Sequence, residues 1–271
     1  MESSGEVEVA ATGLTVEQAI ANLRSPDLSL RYYAAWWLGK FRVREPAAVD
    51  ALIAALEDEA DRTELGGYPL RRNAARALGK LSDRRAVPGL ICCLECDDFY
   101  VREAAAQSLA MLGDPSAIPA LMKLLDGGVN AAVAVPGRPH LTQPYDSVLE
   151  ALGALEARSA VALIQPFTEH PMPKIQYAAL RAMYQLTHED SYGQRLVAGL
   201  TSDDLKLRRV VLSDLGAIGY VGAAEAIASC TAENSFKLLS LKGLLESQLQ
   251  SQPTQLSDPA IHLMSLMDGL L

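Results

Sequence analysis

The chain has 271 residues, 49% of them hydrophobic and only 6% aromatic, with a formal charge of −9 and a pI near 5.0. So large an apolar share supports a substantial core, and the dominance of alanine and leucine favours close-packed helices over a sandwich or barrel. The acidic balance excludes duplex nucleic acid as an expected partner, since phosphate binding needs a basic surface, but it leaves room for a small anionic ligand held by a few Arg or Lys.

The start, Met1 to Gly13, lacks the basic-then-apolar plan of a signal peptide, and residues 1–13 are expected to be disordered. No run of about 18 apolar residues follows anywhere, so no membrane insertion is expected and the chain reads as cytoplasmic. Thr15 with Gln18 makes a capping box that opens the first helix.

From Leu30 a pattern begins that then recurs. LRYYAAWWLGKF starts at Leu30, LRRNAARALGKL at Leu70 and VREAAAQSLAML at Val101, with weaker copies PYDSVLEALGAL from Pro144, IQYAALRAMYQL from Ile175 and LRRVVLSDLGAI from Leu207. The aligned second positions are Arg31, Arg71, Arg102, Tyr145, Gln176 and Arg208, a period of about 31 residues broken by two insertions. Each copy precedes a second apolar helix, such as AVPGLICCLE from Ala86 or AIPALMKLLD from Ala117. One helix pair cannot bury its own apolar stripe, so stacking supplies the core. The expected fold is all-α, a HEAT-like or armadillo-type superhelix of about six helix pairs over residues 14–250. Asp27, Asp98 and Asp204 each stand four residues before a repeat arginine, placed to cap the helix and to pair with Arg31, Arg102 or Arg208.

The insertions, Glu57 to Pro69 and Asp126 to Pro144, are rich in Gly and Pro, and loops of this length are usually functional or mobile. Residues 251–271 read as a tail with a short amphipathic helix, capped by Ser257 or Asp258 and carrying Pro259 in its first turn. Its stripe of Ile261, Met264, Met267, Leu270 and Leu271 either closes the solenoid or meets a partner.

Catalytic signatures are few. His188-Glu189 is the single His-Glu pair, too little for a di-iron site built from several repeats, and no Gly-rich phosphate loop or serine elbow occurs. Cys92, Cys93 and Cys96 cluster, but Cys93 aligns with core Leu124 and Cys92 with exposed Lys123; no metal site is expected. The outward stripe of the first helices is more informative. The positions one, five and nine after the aligned residue give Tyr32, Trp36 and Lys40, then Arg72, Arg76 and Lys80, then Glu103, Gln107 and Met111; Asp146 with Glu150 and Tyr177 with Arg181 and Gln185 follow. Such helices are expected to line the concave surface. Its N-terminal half is aromatic and basic, which suits a flat, conjugated anion: aromatics stack on its rings while Arg and Lys hold its carboxylates. The other reading is that Trp36 and Trp37 plug an end of the solenoid and the bases pair with nearby acids.

Five segments carry a family resemblance: RYYAAWWLGKFR from Arg31, EDEADRTELGGYPLRRNAARALGKL from Glu57, ECDDFYVREAAAQSL from Glu95, LKLRRV from Leu205 and AENSFKLLSLKGLLE from Ala232. Together they resemble the E subunit of the phycocyanobilin lyases of cyanobacteria. The resemblance implies a lyase active only as a heterodimer with a smaller, HEAT-like F subunit. It implies phycocyanobilin as a bound substrate, not a prosthetic group, and the phycocyanin alpha chain as acceptor. A cysteine of that chain would form a thioether with the ethylidene side chain of ring A, and the pair would also detach or transfer the chromophore. On this reading Tyr32, Trp36, Lys40, Arg72, Arg76 and Lys80 bind the bilin, and a carboxylate such as Asp61, Glu64 or Glu103 handles protons. Cys92 or Cys96 would be the place for any transient thioether on this chain. A non-catalytic scaffold or chaperone for phycobiliprotein assembly is the alternative.

Overall fold

The computed structural model describes residues 13–251 and 256–271, so the disorder expected for residues 1–13 lies, Gly13 apart, outside the described residues. Two compact units divide at Ala117 and Ile118. The first holds α1 (Val16–Asn22), α2 (Leu28–Lys40), α3 (Pro46–Ala55), α4 (Pro69–Leu81), α5 (Val87–Cys93) and α6 (Phe99–Leu112). The second holds α7 (Ile118–Lys123), α8 (Gly128–Ala131), α9 (Tyr145–Ala154), α10 (Val161–Ile164), α11 (Pro173–Thr187), α12 (Asp190–Ala198), α13 (Leu205–Ile218), α14 (Ala224–Ser229), α15 (Asn234–Ser251) and α16 (Asp258–Asp268). Extended pairing among the described residues is confined to one bridge, Ala134 with Leu141. The fold is the expected all-α stack of HEAT-like helix pairs.

Capping sets where the helices begin. Thr15 and Gln18 form the predicted box on α1, and Asp27, Asp98 and Asp204 accept the backbone N–H groups of Ser29, Tyr100 and Lys206, each at 2.8 Å. The glycine of the Leu-Gly motif sets how closely successive first helices approach. A Cβ on Gly39 would stand 2.8 Å from the Ala77 Cα, one on Gly79 2.9 Å from the Ser108 Cα, one on Gly153 2.8 Å from the Ala182 Cα, and one on Gly216 3.0 Å from the Ser240 Cα. Only a residue without a side chain permits that spacing. At two of these contacts a buried hydroxyl reaches across to the next helix: Ser108 donates to the Ala75 carbonyl at 2.8 Å and Ser240 to that of Leu212 at 2.6 Å.

The repeat arginines donate to backbone carbonyls upstream of their helices. Arg31 donates from Nε to the Leu23 carbonyl, Arg71 from Nε to that of Asp58, Arg102 from Nη1 to that of Cys96 and Arg208 from Nη1 to that of Ser202. Gln176, in the aligned position of α11, donates to the Thr168 carbonyl at 3.0 Å. These carbonyls belong to the chain leading into each helix, where helical partners have run out. The aligned side chain therefore clamps the incoming backbone, and Arg31 adds an ion pair with Asp58.

Both insertions are tied down. In the first, Thr63 N–H donates to the Gly67 carbonyl at 2.9 Å, Tyr68 N–H donates to Asp98 Oδ2 at 2.7 Å, and the guanidiniums of Arg62 and Arg71 lie 5.0 and 4.2 Å from the Tyr68 ring centre. The second contains α8 and a hairpin-like turn in which Val135 N–H bonds the His140 carbonyl at 3.1 Å. The helical run of α15 continues through the polar residues to Ser251. α16, capped by Ser257, packs on α14 and α15 through buried Ala260 and Leu263. Of its predicted stripe, Ile261, Met264 and Leu271 are exposed and Met267 and Leu270 half-buried.

Candidate functional site

Three neighbouring first helices of the first unit, α2, α4 and α6, build the predicted face. On α2 the residues Tyr32, Tyr33 and Trp36 are all exposed, as is Lys40, while Trp37 is completely buried and packs at a tilt against Phe41, 4.9 Å between ring centres. Trp37 belongs to the core, whereas Trp36 is exposed with Tyr33 beside it at 5.4 Å. Tyr33 escaped the sequence stripe, which took only every fourth position. The pair Tyr-Tyr was itself the available signal.

On α4, Arg76 and Lys80 are exposed and Arg72 is half-buried, its guanidinium 5.9 Å from the Tyr100 ring centre and its Nε buried without a hydrogen-bond partner. From α6, Glu103 Oε2 lies 3.6 Å from Arg76 Nη2, so of the three candidate acids Glu103 is engaged in an ion pair. Glu64 stands exposed in the first insertion, beside the exposed Leu65. Asp61 is different: only 7% of its surface is exposed and its Oδ2 has no partner. Asp61 also lines an open pocket of about 580 Å³ with Leu28, Ser29, Leu30, Tyr32, Tyr33 and Pro69. Burial raises its pKa, and the nearby Asp58 charge adds to this, while the Leu70 N–H and Arg31 act the other way. The sequence named Asp61 but gave no means of telling it from Glu64, because burial of a loop carboxylate is decided by packing.

A PBS lyase HEAT-like repeat model matches residues 30–58 and a HEAT repeats model residues 68–134. A protein named phycocyanobilin lyase subunit alpha, from Nostoc sp., is 72% identical over 95% of this chain and 94% of its own length. The chain belongs to the phycocyanobilin lyase alpha subunit family. A Synechocystis relative of the same name is 54% identical over 95% of this chain and 96% of its own, and the bilin biosynthesis protein PecE of Nostoc sp. is 44% identical over 95% of this chain and 96% of its own. Among solved structures, the complex of CpcE and CpcF of phycocyanin lyase from Nostoc sp. PCC7120 contains a chain 70% identical, with a TM-score of 0.91 over 99% of this chain and 100% of that one.

In this member of the family the stripe changes character in the second unit. Arg181 Nη1 lies 3.0 Å from Asp214 Oδ1 and 3.8 Å from Glu150 Oε2, with Lys174 paired to Asp146 alongside. Burial pushes the Glu150 carboxyl up to about 7 and that of Asp214 up to about 6, against the pull of Arg181. Asp214 was missed in the sequence because it falls one place off the outward stripe; an aspartate inside the apolar run VVLSDLGAI was the signal. The cysteines divide as their positions suggested: Cys93 is buried, its thiol pushed up to about 12 chiefly by that burial, Cys92 is exposed and Cys96 half-buried. Among the described residues no group of three or more His, Cys, Asp or Glu is arranged to hold a metal ion.

Proposed function

We propose that this chain is the alpha, or E-type, subunit of a heterodimeric phycocyanobilin lyase. With its F-type partner it attaches phycocyanobilin through a thioether to a cysteine of the phycocyanin alpha chain. The observation that carries this reading is the end-to-end match, at 72% identity, to a protein named for that role. Phycocyanobilin is a substrate in transit, not a resident cofactor. The family members named come from cyanobacteria, and no helix among the described residues is long and apolar enough to cross a membrane; a cytoplasmic place in a cyanobacterium fits both.

The chain's own part in the chemistry is positioning. Tyr32 and Trp36 stack on the pyrrole planes, and Arg72, Arg76, Lys40 and Lys80 hold the two propionates, so that the ring A side chain is presented to the acceptor thiol. Fixing two reactants in register supplies much of a rate without a covalent intermediate on this chain. The nucleophile is the acceptor's cysteine.

Co-expression of this chain with the F-type subunit, the phycocyanin alpha chain and a source of phycocyanobilin tests the reading. The expected result is a covalently coloured, zinc-fluorescent alpha chain. Equal colour when this chain is omitted overturns it, and a bilin spectrum untouched by the heterodimer would identify a scaffold instead.

A further inference from the structure

Asp61 combines three properties found together at no other candidate acid of the first unit. It is buried, one of its carboxyl oxygens lacks a partner, and it is the one carboxylate lining the pocket walled by Leu28, Leu30, Tyr32, Tyr33 and Pro69. A buried polar atom without a partner is costly, and it is tolerated where a ligand completes it. The walls are apolar and aromatic, and Tyr32 belongs both to this pocket and to the exposed face of α2. A planar molecule lying on that face can therefore enter the pocket with one ring. A carboxyl lining an apolar pocket recognises ring N–H and ring nitrogen groups.

The ionisable groups around it are Asp58 of its own loop, Arg31, Tyr32 and Tyr33 of α2, and Arg71 of α4. Asp58 is paired with Arg31, accepts the Asp61 N–H at 2.8 Å on Oδ2, and offers its carbonyl to Arg71 Nε. The neighbouring charges are thus largely matched to each other, and Asp61 is left for the ligand.

We propose that this pocket seats one pyrrole ring of the tetrapyrrole and that Asp61 is the acid that protonates the ring nitrogen there. This rests on the lyase reading. In the step, the carboxyl O–H bond breaks and an N–H bond forms on the ring nitrogen, leaving a carboxylate hydrogen-bonded to a cationic bilin. Burial and the Asp58 charge hold the proton on Asp61 to higher pH than on an exposed aspartate. Protonation withdraws electron density along the conjugated system and prepares the ring A side chain for thiolate attack.

The test uses the heterodimer with phycocyanobilin and follows the absorption of the bound bilin against pH. In Asp61→Asn the bilin should still bind, but its protonated, long-wavelength form should be lost at a pH lower by about one unit or more, and Asp61→Glu should recover part of the shift. A titration of Asp61→Asn that overlays the parent overturns the assignment of Asp61 while leaving the lyase reading in place. Failure of the parent heterodimer to bind the bilin overturns both. Should Asp61→Asn lose the helical circular dichroism of the parent, infrared difference spectra of the unaltered heterodimer decide: bilin binding should alter a carboxylic acid C=O band that shifts in D2O, and no such band refutes the proposal.

Discussion

Trp36 leaves 43% of its surface exposed while Trp37, the next residue, leaves none. Adjacent residues on a helix are about 100° apart, so one points outward when its neighbour points into the core. Truncating each to alanine should separate the two roles. Trp37→Ala should cost about 3–5 kcal/mol in urea unfolding, the usual range for a buried aromatic. Trp36→Ala should leave the unfolding midpoint and helical circular dichroism close to the parent's. It should also weaken phycocyanobilin binding by the heterodimer roughly tenfold, as the loss of one aromatic stacking partner predicts. Unfolding by Trp36→Ala would return that residue to the core.

Removing Arg72 and Arg76 together should lower bilin affinity by about a hundredfold or more, since charge-assisted hydrogen bonds to carboxylates contribute about 1.5–3 kcal/mol each. Phycocyanobilin dimethyl ester provides the check. It should bind the parent heterodimer weakly and should be indifferent to the double substitution. If the free acid is equally indifferent, the propionates lie elsewhere.

The close approach at Gly39 gives a stability prediction. A side chain there would meet the Ala77 backbone and Cβ, each 2.8 Å from the new Cβ, so Gly39→Val should destabilise the first unit by about 1–3 kcal/mol or force α2 and α4 apart. Urea denaturation followed by circular dichroism measures it, and an unchanged midpoint would show that the helices slide freely.

The Glu150, Arg181 and Asp214 group makes stability depend on pH. The two carboxyls bind protons more tightly in the folded chain than in the unfolded one, so between about pH 4 and pH 7 the folded state carries more protons and stability falls as pH rises. The urea midpoint should therefore be higher near pH 5 than near pH 8. In Glu150→Gln with Asp214→Asn the decline should shrink, and the double variant should gain on the parent most at the alkaline end. Parallel pH profiles for the two proteins would refute the coupling.

The repeat was legible because its cause is local: small residues where helices nearly touch, glycine at the closest point, aspartate where a helix starts. The outward face of α2 and α4 was legible for the same reason, a spacing that places Tyr32, Trp36 and Lys40, and Arg72, Arg76 and Lys80, on one side of each helix. The partners of the arginines were not. Spacing shows that Asp204 precedes Arg208 by one turn, but not that its carboxylate is occupied by the Lys206 N–H, nor that Arg208 reaches the Ser202 carbonyl. The burial of Asp61, and separately that of Asp214, was not legible, because loop folding in one case and helix packing in the other, not sequence neighbours, remove them from water.

The arginine clamp has a consequence for how such a chain can change length. Arg31, Arg102 and Arg208 reach carbonyls eight, six and six positions upstream, whereas Arg71, with the first insertion ahead of it, finds the carbonyl of Asp58 thirteen positions upstream. The clamp grips whatever backbone arrives at that spot and is blind to how many residues were spent on the way. New residues can thus accumulate between a clamp and its carbonyl without disturbing the stacked helices. By that route a lineage can acquire a pocket-forming loop carrying Asp61 while the scaffold behind it stays the same.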